Sequence, residues 1–256
     1  MSKLAKRSYM SLVYLFLYTP IIVVLVFSFN NSTHSLIWRG FSWEWYAQLI
    51  HDAALLKIVG HSFLLALLVS LLAVILGTLT TICFQRYRTP GKAAWSGLLF
   101  LLIMIPDLIL AVAFLAFFRL LSIPFGFWTL LIAHTSFCLP FVFVTVTASY
   151  RELNPHLLEA ATDLGASDTQ AVFRVLLPAL KPGIWMGGLM SFALSLDDVV
   201  ISYFVSGPSF QILPLKIYAM ARLGANPEIN ALCSILFITT LILVLFSQRI
   251  RKRSTI

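Results

Sequence analysis

The chain has 256 residues, 60% of them hydrophobic and 11% charged, with a mean hydropathy of +0.93. So few polar side chains cannot clothe a water-soluble globule of this size, which excludes a soluble globular protein. The formal net charge of +8 has no soluble domain on which to form a basic face for nucleic acid, so it is read as a bias of membrane topology.

Apolar runs long enough to cross ~30 Å of hydrocarbon as helix fall at Tyr9–Phe29, Ile58–Phe84, Trp95–Phe118, Trp128–Tyr150, Gly183–Val205 and Ile229–Ser247. The expected fold is an all-α integral membrane protein of six transmembrane helices, with no internal repeat, low-complexity tract or soluble domain. Residues 1–57 would hold the first helix (9–29) and an interfacial loop. Residues 58–248 would form a five-helix domain (58–84, 95–118, 128–150, 183–205, 229–247) with a polar loop at 151–182, and 249–256 a basic tail. The first run follows Lys3, Lys6 and Arg7 but exceeds a signal-peptide core, and no small-x-small cleavage site follows Phe29, so it is read as a retained helix.

With the N-terminus inside, thirteen basic residues collect on the cytoplasmic side: Lys3, Lys6, Arg7, Arg86, Arg88, Lys92, Arg151, Arg174, Lys181, Arg249, Arg251, Lys252 and Arg253. Five lie opposite: Arg39, Lys57, Arg119, Lys216 and Arg222. The positive-inside rule then places both termini in the cytoplasm.

Between the first two runs, Trp38, Trp43, Trp45 and Tyr46 read as an aromatic belt, with Phe41 to Lys57 as a short helix on the outer interface. Pro106-Asp107 interrupts the third run, where proline removes a backbone donor and a carboxyl group sits beside the weakened turn. Cys83, Cys138 and Cys233 lie in apolar runs without CxxC spacing and read as small buried hydrophobes. His34, His51, His61, His134 and His156 are scattered without a metal-binding pair.

The polar loop carries the strongest local signals. Asn154 before Pro155 reads as an N-cap with proline at the first helical position. The helix then meets Gly165, suited to the positive φ of a C′ residue. Ser167-Asp168-Thr169-Gln170 fits a capping box that opens a second helix, and Pro178 and Pro182 mark its end and the re-entry to the bilayer. Two short capped helices about a glycine bend make a knob that can transmit a push.

The fifth run contains Ser191, Ser195, Asp198 and Ser202 at spacings that share one helix face, while Asp197 points about 100° away. A central carboxylate costs on the order of 2.5–3.5 kcal/mol to insert, so Asp107, Asp197 and Asp198 need a reason to be there. One reason is that they cap or bridge broken helices, or sit protonated. The other is a cation path, with Phe192, Tyr203 and Phe204 adding aromatic faces and the serine stripe, Ser195 and Ser202 included, lining the route through Asp198. No serine/histidine pair, HExxH or metal cluster stands at a spacing that would suit an intramembrane enzyme.

Glu159-Ala160-Ala161, three residues, Gly165, nine residues, then Val175-x-Leu177-Pro178 resembles the EAA motif of type I ABC importer permeases, with valine in place of isoleucine as its one departure. The resemblance runs from about Ile58 to Ser247; Trp45-Tyr46 and His61-Ser62 also fit, although many relatives carry Asn-Ser at the second pair. It implies a type I ABC importer transmembrane domain in which Glu159, Ala160, Ala161, Gly165, Leu177 and Pro178 couple to a separate ATPase. Leu196-Asp197-Asp198-Val199, Phe204 to Pro208, Met104 to Asp107 and Ile212 to Tyr218 narrow the resemblance to the spermidine/putrescine importer permeases. That family implies two ATP-binding subunits, a second homologous permease, a periplasmic polyamine-binding protein and a place in the bacterial inner membrane. It implies no cofactor in this chain, ATP and magnesium residing on the ATPase. Importers of ferric iron, opines or amino acids share the loop, and an ATP-independent secondary transporter is the reading from another class.

Overall fold

The computed structural model describes residues 3–32, 37–87, 89–222, 224 and 227–253, the side chains of 3–5 and 243–253 excepted. His34, Arg88 and the last three residues of the expected basic tail lie outside the described residues, as do the side chains of Lys3, Arg249, Arg251, Lys252 and Arg253. The described chain is helical: α1 (Lys3–Phe27), α2 (Glu44–His51), α3 (Ala53–Arg86), α4 (Lys92–Met104), α5 (Asp107–Leu120), α6 (Phe127–Glu152), α7 (Leu157–Asp163), α8 (Asp168–Gln170), α9 (Leu177–Asp197), α10 (Val200–Val205), α11 (Leu213–Arg222) and α12 (Pro227–Arg253). A π-helical segment, Ala171–Leu176, joins α8 to α9. The only β pairing among the described residues is an isolated bridge between Asn30 and Phe41.

Four helical stretches are long and apolar enough to cross a membrane: Lys6–Phe27, Ala53–Arg86, Phe127–Glu152 and Asp168–Asp197. The expected third span is instead a broken pair, α4 and α5, bent by 110°. Ile105 is extended because the residue before a proline is pushed out of the α region, and Pro106 is extended in turn. In the expected sixth span, the described apolar part of α12 is Pro227–Ile242.

The chain divides into two compact units, Met1–Val59 with Leu215–Ile256, and Gly60–Pro214. In the first unit, α1 and α2 each pack on α12. None of the apolar window of α1 is buried, and Phe16 is 77% exposed. Phe29 stacks on Phe41 at 5.1 Å and meets Trp43 and Tyr46 at 4.8 and 5.0 Å. Buried Asn30 knots this loop: its side chain donates to the Ile37 carbonyl (2.7 Å) and accepts from the Arg39 N–H (2.8 Å), while its carbonyl accepts from Trp45 Nε1 (2.9 Å). The interfacial helix expected from Phe41 to Lys57 stops at His51, because Asp52 accepts the Ala54 and Leu55 N–H groups and caps α3.

In the second unit, α3, α6 and α9 approach closely through glycine. A Cβ on Gly77 would lie 2.8 Å from Val142 Cγ1, one on Gly183 would lie 2.5 Å from Ser149 Cβ, and one on Gly187 would lie 3.1 Å from Val142 Cγ1. Small residues let backbones meet where lipid offers no hydrophobic drive between helices. Hydroxyls close the gaps: Thr81 Oγ1 pairs with Thr147 Oγ1 at 3.2 Å, and Ser70 Oγ donates to the Gly188 carbonyl at 2.7 Å.

Contacts inside this unit set the direction of its segments. At one end, Arg86, the last residue of α3, and Tyr87 after it clasp Asp168 at the start of α8: Arg86 Nε donates to Oδ1 (3.1 Å), its terminal nitrogen joins it, and the Tyr87 hydroxyl donates to Oδ2 (2.7 Å). At the other end, the turn after α10 lies against the turn after α5, where a Cβ on Gly207 would fall 2.0 Å from the Phe125 carbonyl oxygen. Beside it, Thr129 Oγ1 donates to the Val205 carbonyl (2.8 Å). Since α5 packs on α10 and their ends meet, the two run in the same direction.

Two predictions follow from this packing. Gly183→Leu should destabilise the purified protein by about 1–3 kcal/mol by overpacking, read as a lower thermal midpoint. Gly97→Leu, with nothing within 4 Å of its Cβ position, should leave that midpoint unmoved. The Asp168 carboxyl is held below its ordinary range by its bonds to Arg86 and then Tyr87. Such a group stabilises above its unfolded value, ~3.9, and loses that contribution as pH falls through its lower folded value. Amide-exchange protection across 168–176 should therefore drop below about pH 4, and Asp168→Asn should reproduce that drop at pH 7. Protection at pH 7 as high in Asp168→Asn as in the unsubstituted chain would dismiss the clasp.

Candidate functional site

The fifth span holds the site. Helix α9 ends at Asp197, Asp198 is extended, and α10 restarts at Val200. A helix that stops inside hydrocarbon must satisfy its freed N–H groups within the protein. Asp198 does this: Oδ1 accepts the Ile201 N–H (3.2 Å), and Oδ2 accepts the Ser202 N–H (2.8 Å) and hydroxyl (2.9 Å).

His134, on α6, completes the cluster. Its Nδ1 lies 2.9 Å from Ser195 Oγ, and its Nε2 lies 3.0 Å from Ser202 Oγ and 3.4 Å from Asp198 Oδ2. Because the Ser202 hydroxyl donates to Asp198, it accepts from Nε2–H, and the imidazole reaches both sides of the break. His134 and Ser202 are fully buried, Ser195 nearly so, and Asp198 is 9% exposed.

Asp198, Ser195 and Ser202, expected to line a route, are buried and gathered around His134 of α6. Ser195 and Ser202 turn inward against α6, one on each side of the broken backbone. Sequence reasoning passed over His134 as one scattered histidine, although an ionisable residue inside an apolar span was a signal in itself.

The other acids are placed differently. Asp107 is the first residue of α5 and is exposed, at the helix end where a carboxylate is favoured by the dipole. Asp197 is the last residue of α9 and is exposed, at the end where the dipole opposes a negative charge. Neither has an ion pair or side-chain hydrogen bond among the described residues. Tyr203 is 57% exposed on α10, and half-buried Phe192 leans on Phe63, ring centroids 6.0 Å apart. The structure therefore separates two exposed acids, at the breaks of neighbouring co-directional segments, from one buried acid that caps.

The polar loop is built by its own caps. Helix α7 starts at Leu157, two residues later than expected, because the Asn154 side chain accepts the His156 N–H (3.0 Å) and turns the chain through Pro155 first. His156 Nδ1 lies 2.7 Å from Glu159 Oε2. Gly165 takes φ +85°; its N–H donates to the Thr162 carbonyl (2.9 Å) and the Ala166 N–H to the Ala161 carbonyl (3.1 Å), a Schellman motif. The capping box forms, with Ser167 N–H donating to Gln170 Oε1 (3.0 Å) and Gln170 N–H to Ser167 Oγ (3.3 Å).

The second helix does not end at Pro178 or Pro182 as expected. It runs from Asp168 to Asp197, with the π-helical turn at Ala171–Leu176 just before Pro178, the second residue of α9. Glu159, Ala160, Gly165 and Pro178 are exposed, Leu177 is half-buried and Ala161 is buried. Leu164 and Phe173 hold apolar side chains outward, 90% and 65% exposed.

Comparison with known proteins bears on these features. Residues 73–255 match the family described as binding-protein-dependent transport system inner membrane component. The spermidine/putrescine transport system permease protein PotC of Escherichia coli K12 is 44% identical over 253 residues, covering 99% of this chain and 96% of the relative. The putrescine transport system permease protein PotI of the same organism is 37% identical over 229 residues, covering 86% and 81%. The fold is also similar to a chain in the crystal structure of a bacterial ABC transporter involved in the import of the acidic polysaccharide alginate, with TM-score 0.75, 17% identity and coverage of 98% and 95%. A multi-pass helical chain with this loop and this match belongs to the binding-protein-dependent transport system inner membrane components, the permease subunits of ABC importers.

Proposed function

We propose that this chain imports polyamines, spermidine or putrescine, across the bacterial inner membrane, as one permease of an ATP-driven assembly. The observation that carries the cargo reading is the pair of exposed, unpartnered carboxylates, Asp107 and Asp197, at the breaks of segments whose outer halves pack together and run in the same direction. Flexible multivalent cations complement such separated acids, and Tyr203 and Phe192 add aromatic faces nearby in sequence. Asp197, set against its own helix dipole, gains most from an arriving ammonium. The names of the relatives point to the same cargo.

The assembly has two ATP-binding subunits, a second homologous permease and a periplasmic polyamine-binding protein; this chain crosses the membrane six times with both termini in the cytoplasm. ATP and magnesium belong to the ATPase, and this chain holds no cofactor. The loop around Glu159, Ala160, Ala161 and Gly165 receives the ATPase, with Leu164 and Phe173 as apolar contacts. From Asp168 one helical rod of 30 residues leads to Asp197, so a push on the loop moves the exposed acid at the far end of the same element.

In the reconstituted assembly, Asp197→Asn should raise the half-saturating polyamine concentration about tenfold, ~1.4 kcal/mol. Asp198→Asn should instead lower thermal stability by about 1–3 kcal/mol through an unsatisfied cap. Unchanged uptake of labelled polyamine in cells lacking this chain would refute the cargo. Gly165→Val forces a β-branched residue into the left-handed region at ~1–2 kcal/mol; it should cut transport while ATP hydrolysis by the assembled complex persists, and normal coupled transport would count against the loop's role.

A further inference from the structure

The polar side chains at the fifth-span break divide into two sets. Asp198 satisfies the first turn of α10 on its own element, which explains why a helix can restart there but not at what angle. The angle needs an outside reference. His134 supplies one: it stands on α6, whose packing against α9 is fixed by the close approaches at Gly183 and Gly187, and it holds Ser195 with one ring nitrogen and Ser202 with the other. Ser195 lies two residues before Asp197 on α9, and Ser202 lies in α10 beyond the break.

We propose that His134 is a positioning residue: it pins α9 and α10 to α6 on both sides of the break and so sets where the Asp197 carboxylate is presented. An imidazole suits the task because its two nitrogens diverge from a rigid ring and reach two partners at once. A purely space-filling residue at this position would leave the buried Ser195 hydroxyl to find another partner, leave the Ser202 hydroxyl to Asp198 alone, and remove the tie between α6 and the first turn of α10. The link to Asp197 rests on the cargo reading; the pin itself does not.

The test uses the full chain with its partner subunits, its native cysteines replaced, and spin labels at Trp185 on α9 and Tyr203 on α10, both exposed. His134→Phe, similar in volume but unable to bond, should broaden the distance distribution between the labels. Ser195→Ala with Ser202→Ala should broaden it alike, and serves if His134→Phe fails to assemble. His134→Gln, which keeps a donor near the Nε2 position, should broaden it less. A distribution that stays as narrow in the serine double variant overturns the pin.

In uptake by the unlabelled assembly, His134→Phe should raise the half-saturating polyamine concentration severalfold with Asp197 present, and add nothing on top of Asp197→Asn. Additive effects overturn the link between pin and carboxylate. If Asp197→Asn alone leaves half-saturation unchanged, the cargo reading falls, and the label distances still decide on the pin.

Discussion

Backbone hydrogen bonding away from water is the constraint on which the functional unit depends. A helix interrupted inside hydrocarbon exposes N–H and C=O groups that lipid cannot satisfy. The chain meets this in two ways. At the third-span break, Pro106 has no N–H to lose, and its carbonyl accepts the Ile109 and Leu110 N–H groups at 2.9 and 3.3 Å. At the fifth-span break, the Asp198 carboxylate takes the donors and the His134 imidazole anchors both flanks. Everything proposed for the cargo depends on these breaks being stable.

The breaks also explain how neighbouring acids come to differ. Asp197 and Asp198 are adjacent, yet one closes a helix outward and the other caps the next inward. In an unbroken helix they would sit about 100° apart on the same rod. The extended backbone at Asp198 changes that relation and gives each carboxylate its own surroundings. Asp107, following an extended proline, is exposed by the same device. Two different sequence means, a proline and a capping acid, thus yield the same product, an exposed carboxylate at a helix break.

The polar loop and the fifth-span break stand at the two ends of one helical stretch. The Asp168 clasp fixes the start of the rod to the end of α3, the π-helical turn lets it pass Pro178 without a break, and the rod ends at Asp197. At 1.5 Å per residue such a rod is ~45 Å long, long enough to connect a membrane surface with the membrane interior.

The helical class, four of the apolar spans, the Gly165 bend and the Ser167–Gln170 box were legible in the sequence, because each rests on local chemistry: a run length, a positive φ, a hydroxyl three residues from an amide. The three intramembrane acids were legible as anomalies, and the loop motif was enough to name the family. Their division of labour was not. Whether Asp198 lines a route or caps a helix depends on what α6 presents to it, and His134 stands 64 positions away in the chain, at a distance no local spacing encodes. Likewise Asp168 gives no sign of Arg86 and Tyr87, and Pro178 reads as a helix end until the π-helical turn before it is seen. The sequence by itself determined that the chain is helical, where its apolar runs fall and which acids interrupt them. Only the tertiary structure decided which of those charges caps a helix and which stays exposed, because desolvation and hydrogen-bond satisfaction depend on neighbours brought together through space.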